Sequence, residues 1–247
     1  MAASIDRRRN NGPQDSYLPQ FDAPDVAVAV DGAKSDADGT EDLPSVFLRT
    51  AIVASSNGSC FYERGETKIL STVHGPRPAT TTTTVTTTGR GGGGPGTARL
   101  SVSVTRQDGS SDRGLADCVS TAIEAGLVGT RYPKSEIAIV VRVVQEQEQG
   151  VGKGVGEVVV GCIVAASLAL ADAGIQLFDL VSAATVARSL DGVDVGLVIG
   201  YLPNRQEVTL MHLVGGTQHG HVEALMKAAI KRAEAMHLAM TKVLMDA

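Results

Sequence analysis

Apolar residues recur with two periods along this chain. Val46, Leu48, Ala51 and Val53 open a strand-like run near Ser45 that stops at the turn-forming Ser55-Ser56-Asn57-Gly58. The runs 59–63 and 67–73 flank Arg64-Gly65-Glu66 and predict a hairpin, with Gly65 at the positive φ that the turn needs. Over 98–105, Leu100, Val102 and Val104 alternate with Arg99, Ser101 and Ser103, the period-2 mark of a half-buried strand. The stretch 136–144 is apolar enough for a central strand. Between the two, Leu115, Val119, Ala122, Ile123 and Gly126 at helical spacing predict a helix over 115–128, stopped by Arg131-Tyr132-Pro133-Lys134-Ser135.

A polar, glycine-rich stretch over 145–156 reads as a loop, and 158–173 as a buried helix closed by Gly174. Strand-like runs at 180–187, 195–201 and 207–214 alternate with turn signals at Asp191-Gly192, Pro203-Asn204 and Gly215-Gly216, which predicts a meander. From Gly220 onward, Val222, Leu225, Met226, Ala229, Ile230, Ala233, Met236, Met240 and Val243 share one face of a long terminal helix, and its methionines read as core packing. Residues 1–44 are rich in Asp, Gly, Pro, Ser and Asn and predict a disordered tail. Thr repeats and a run of glycines make 79–97 a flexible insert within a single domain over 45–247.

Composition narrows the function classes. With 43% hydrophobic and 20% charged positions in 247 residues, the chain can bury a sizeable core. A formal net charge of -5 excludes a protein that wraps nucleic acid over its whole surface, so any such contact is local or shared with partners. Aromatics make up 3% of the chain and Trp is absent, which leaves few platforms for base stacking. Cys60, Cys118 and Cys162 lie far apart and predict free thiols in a reducing compartment. Residues 1–30 hold no signal-peptide run, 158–171 is short of a membrane span, and Arg7-Arg8-Arg9 reads as solvated charge before it reads as a nuclear address.

The motifs weighed singly give little chemistry. Gly150-Val151-Gly152-Lys153-Gly154 lacks the Ser or Thr after its lysine and has Gln147 where a phosphate loop needs glycine, so a flexible loop is expected. His219 and His221 lack companion ligands and read as a polar cap at the start of the last helix. Cys60 shares a strand face with Arg64 and reads as a structural thiol. Ser, His and Asp residues are too scattered to suggest a hydrolytic triad.

Three blocks, Asn57-Gly58-Ser59 through Glu63-Arg64-Gly65-Glu66-Thr67-Lys68-Ile69-Leu70 to His74-Gly75-Pro76-Arg77, then Tyr132-Pro133-Lys134-Ser135, then Ala165 through Gly174, resemble the RNase PH family in order and spacing. The likeness is greatest to the eukaryotic exosome subunits of that family, in which six such domains close a ring around an RNA path. It implies an α+β fold of the ribosomal protein S5 domain 2-like type, a ββαβα core repeated in two halves, with mixed sheets flanked by helices and a long C-terminal helix. Active members of the family hold phosphate with a Gly-Thr-Arg element just before the buried helix. Counting back from Ala165, that element falls on Glu157, Val158 and Val159, which offer an anion a carboxylate and two aliphatic chains. The acidic catalytic stretch finds only Asp194 in the short passage 191–201, and the arginine-rich segment retains Arg106 and Arg113.

The resemblance therefore implies a chain without catalytic residues, cofactor or metal that supports 3′-to-5′ RNA processing by shaping a channel. Arg77, Arg90, Arg99, Arg106 and Arg113 are the candidate RNA contacts. The implied partners are other RNase PH-like exosome subunits in a hetero-hexameric ring, S1/KH-type cap subunits and RNA, with no membrane, in the nucleus, the nucleolus and the cytoplasm. Two other readings compete, an active phosphate-dependent exoribonuclease, alone or completed by a ring partner, and a free-standing binding module that works through its tail and insert.

Overall fold

The structure is a computed structural model that describes residues 46–78, 97–146, 153–190, 193–214 and 219–246. The expected tail, the insert up to residue 96, and the Asp191-Gly192 and Gly215-Gly216 turns lie outside the described residues. In chain order the elements are β1 Val46–Thr50, β2 Gly58–Arg64, β3 Thr67–Pro78, β4 Arg99–Thr105, α1 Arg113–Gly126, β5 Ser135–Gln145, α2 Lys153–Asp172, β6 Ser182–Leu190, β7 Val193–Leu202, β8 Glu207–Val214 and α3 His219–Asp246, with a 3₁₀ turn at Gly129–Arg131 before β5.

The first sheet has the order β1-β2-β3-β5-β4. Its strands pair antiparallel except β4 and β5, which run parallel because α1 carries the chain between them. Strand alternation selects one face for the core. Cys60 and Tyr62 of β2, Ile69 and Val73 of β3, and Ile137, Ile139, Val141 and Val143 of β5 are buried. Asp112 caps α1 by accepting the Leu115 amide at 3.0 Å. The second sheet, β6-β7-β8, is antiparallel throughout. The second half of the chain is thus a meander closed by a helix, simpler than the repeated ββαβα unit that the resemblance implied.

Helix α2 lies between the two sheets, against β2 and β3 on one side and β6 and β7 on the other, and α3 covers the far face of the second sheet. Every residue from 158 to 170 is buried, as expected of a helix enclosed on all sides. Such close approach requires missing side chains. A Cβ on Gly161 would stand 2.5 Å from Ile69 Cδ1 and 2.8 Å from the Tyr62 ring, and one on Gly58 would stand 2.3 Å from the Ala169 carbonyl oxygen.

Two boundaries differ from the sequence reading. Helix α2 begins at Lys153, inside the expected loop, because Gly156 seats directly on the second sheet, where a Cβ would meet Thr185 Oγ1 at 2.7 Å. Strand β3 continues through the expected turn at 74–78 by a register shift between His74 and Arg77, and the Gly75 amide donates to Asn57 Oδ1 at 3.0 Å. The hairpin glycine, Gly65, has φ 58 and the helix stop, Gly174, has φ 68, both as expected. Among the described residues, no helix is long and apolar enough to cross a membrane.

Gly58→Ala should lower the unfolding free energy by about 2 kcal/mol or more, because a rigid backbone carbonyl blocks the new methyl group. Gly114→Ala, whose Cβ approaches only the Asp112 carboxylate at 3.4 Å, should leave stability unchanged or raise it by about 0.5 kcal/mol. Urea denaturation of the two variants measures both.

Candidate functional site

The last residue of β2, Arg64, shares its inward face with Cys60 and Tyr62, and its side chain is 8% exposed. A guanidinium so placed needs an acceptor, and Arg64 Nη1 donates to Glu157 Oε2 at 3.0 Å. Glu157 stands one turn inside α2 and opposite the second sheet. Burial pushes its carboxyl above the usual range, while the nearby Arg64 and Arg232 guanidiniums pull it back down. The Tyr62 hydroxyl and Arg64 Nε are buried beside this pair with no hydrogen-bond partner. Burial is the main cause that drives the Tyr62 phenol well above its ordinary pKa.

Because α2 starts at Lys153, the amides of residues 157–159 donate to carbonyls one turn back. Val158 and Val159 are buried in the core. The three residues therefore present a carboxylate already bonded to a guanidinium, amides already inside a helix, and two apolar side chains. Chemically this is an internal ion pair, beside which the Tyr62 hydroxyl and Arg64 Nε are donors without an acceptor.

The five candidate arginines do not converge. Arg77 and Arg99 both pair in register with Glu136, so they flank one carboxylate at the same end of the first sheet. Arg77 is 56% exposed and its Nη2 lies 3.9 Å from Glu136 Oε1. Arg106 follows the opposite end of β4, about 20 Å away along the strand. There it is bound on two sides, by Nε to Asp112 Oδ2 at 2.7 Å and by Nη1 to Glu146 Oε2 at 2.8 Å. The Asp112 carboxylate that caps α1 thus also pairs with Arg106, and this arginine ties the start of α1 to Glu146 at the end of β5. Arg113 is exposed at the first residue of α1, and Arg90 lies outside the described residues.

Other expected features are architectural. Cys60 is fully buried, and burial with the Asp172 charge pushes its thiol up to about 12, which suits a structural role. Asp172 Oδ2 accepts the amides of Ser59 at 2.8 Å and Ala51 at 3.3 Å, so two of the quoted blocks clamp each other. No metal-binding group of His, Cys, Asp and Glu occurs among the described residues. His219 and His221 open α3, but their side chains lie outside the description, as does that of Asp194. The sequence reading missed the Arg64–Glu157 pair, although the strand period that placed Cys60 and Arg64 on one face already turned that charge inward.

Comparison with known proteins assigns the family. Residues 42–176 match the 3′ exoribonuclease family, domain 1, the RNase PH family, and the chain belongs to it. It is 30% identical over 193 residues to the exosome complex component MTR3 of Homo sapiens, covering 71% of this chain and 65%, just under two thirds, of that one. It is 28% identical over 229 residues to the exosome complex component Rrp41 of Pyrobaculum islandicum, covering 85% of this chain and 89% of that one. The fold is that of the solved rice (Oryza sativa) Rrp46, with a TM-score of 0.67, 18% identity, and 85% of this chain and 100% of that one covered. An archaeal exosome core chain superposes with a TM-score of 0.62 at 13% identity, over 80% of this chain and 87% of that one.

The raised Glu157 pKa fixes a sign. The folded chain holds the proton more tightly than the unfolded one, so this contribution to stability is complete below the unfolded value of about 4.3 and is lost as pH rises through the folded one. Glu157→Gln should flatten that part of the stability-versus-pH curve. Glu157→Ala, which strands the buried guanidinium, should cost about 3 kcal/mol at neutral pH. Chemical denaturation across a pH series reads both.

Proposed function

We propose that this member of the RNase PH family is a non-catalytic subunit of an RNA exosome ring, where it shapes the path of RNA for 3′-to-5′ processing. The observation that carries the reading is the Arg64–Glu157 pair on a helix that begins a full turn early. Phosphorolysis needs donors aimed at the attacking phosphate, and at Glu157, Val158 and Val159 they are either absent or already used. The tight β6–β7 hairpin, in which Leu190 pairs with Val193, supports it further, because only two residues are left where a longer acidic stretch would have to sit. The names of the relatives, exosome complex components MTR3 and Rrp41, support the assembly.

The surface suits a chain that is covered on more than one side. Val140 and Val144 are exposed on the open face of the first sheet, and Val208, Met211 and Leu213 on the edge strand β8, which carries no lysine or proline to discourage pairing. Other RNase PH-like subunits would cover these faces in a hetero-hexameric ring, with S1/KH-type subunits capping it. Arg77 and Arg99, at one end of the first sheet and on either side of the insert that carries Arg90, are the residues assigned to the RNA path. Nuclear, nucleolar and cytoplasmic residence follows from that role.

Two measurements test the reading. The isolated chain, incubated with inorganic phosphate and RNA carrying a free 3′ end, should release no nucleoside diphosphate; release would favour the active exoribonuclease instead. Co-expression with sister subunits should shift the chain in gel filtration to an equimolar ring, and elution as a lone monomer in their presence would contradict the assembly.

A further inference from the structure

The loop after α2 forms a platform that the sequence did not suggest. It is pinned to the loop after α1, because the Val128 amide donates to the Gln176 carbonyl at 3.1 Å and the Phe178 amide to the Gly126 carbonyl at 2.8 Å. Phe178 is held outward, 55% exposed. The next residue, Asp179, is buried, and its carboxylate accepts the backbone amide and the side-chain Nδ2 of Asn204, each at 2.8 Å. That grip on the β7–β8 turn brings the Arg205 guanidinium to 4.9 Å from the centre of the Phe178 ring. On the other side of the loop, Arg131 Nε donates to Gln176 Oε1 at 2.9 Å. An exposed aromatic ring thus has one face under a guanidinium, with a second guanidinium bonded to Gln176, two residues before it in the loop.

The Arg131 end of this platform adjoins the rim that carries Arg77 and Arg99, because the Ala98 amide donates to the Gly129 carbonyl at 2.8 Å. Lys134 is exposed on the same connection. Two carboxylates stand near the platform, and of these Asp179 is buried and turned to Asn204. Glu207 pairs with Arg205 at 3.0 Å, but both side chains are more than 40% exposed (55% and 42%), so solvent screens the pair and a phosphate can compete for the guanidinium.

We propose that Arg131, Phe178 and Arg205 form a contact for single-stranded RNA, in which a base stacks on the ring of Phe178 and the two guanidiniums bind the flanking phosphates. The chemistry favours nucleic acid over an acidic peptide. Carboxylates would use the arginines but leave the exposed ring idle, whereas a nucleotide offers a flat π-face and an anion together. The inference rests on the reading that RNA runs past this chain, and it extends the contact from the Arg77 rim to the loop after α2.

The test uses the full chain and fluorescein-labelled oligouridine, with binding read by anisotropy over a salt series. Phe178→Ala should weaken binding about tenfold without changing the salt slope, and Phe178→Tyr should retain it. Arg131→Ala and Arg205→Ala should each lower the salt slope by about one. Wild-type affinity in Phe178→Ala would overturn the proposal; if Arg77→Ala still weakens binding in that case, the RNA-path reading stands without it. An oligoglutamate that displaces the RNA equally well from wild type and from Phe178→Ala would make this an acidic-peptide surface and also overturn it. Absence of any oligouridine binding at low salt would sink the contact, while assembly with sister subunits would still be judged by gel filtration.

Discussion

A guanidinium 92% removed from solvent must meet an anion, and Arg64 sets that demand at the end of β2. An external ligand could meet it only if it could enter and leave. The chain meets it with Glu157, on the helix that also separates the two sheets. The consequence reaches along α2, because a carboxylate fixed one turn inside the helix requires that the preceding turn be helical too. The amides that a helix terminus would otherwise present to an anion then lie inside the hydrogen-bond ladder.

The family-like blocks serve a different end. Gly58 against Ala169, Asp172 holding the amides of Ala51 and Ser59, and Asn57 holding Gly75 are contacts that position strands and helix. The architecture of the RNase PH family is thus held by contacts separate from the residues at the start of α2. Fold and reaction occupy separate sets of side chains, so likeness in the first set does not carry the second.

Much of the fold was legible because local pattern and tertiary demand coincide. The alternation at Leu100, Val102 and Val104 and the stripe through Leu225, Ala229, Ala233, Met236, Met240 and Val243 each specify a buried face, and each is buried, while Gly65 takes the positive φ of its turn. The start of α2 was not legible, since Lys153-Gly154-Val155-Gly156 has loop composition and becomes helical through contact with Thr185, almost thirty residues later in the chain. The partners of Arg106 were not legible for a related reason. Asp112 lies six residues on in the chain, but Glu146, forty residues away, reaches Arg106 only through the pairing of β4 with β5. The Phe178–Arg205 contact depends on Asp179 gripping a turn two strands away, which no local window contains.

The central claim is that Glu157 already occupies the position an inorganic anion would need. Thermal unfolding of the full chain across a phosphate titration at constant ionic strength tests it most directly, since a ligand that binds only the native state raises Tm with concentration. The account predicts that the midpoint stays the same whether phosphate or chloride supplies the ionic strength. A saturable rise specific to phosphate would contradict it.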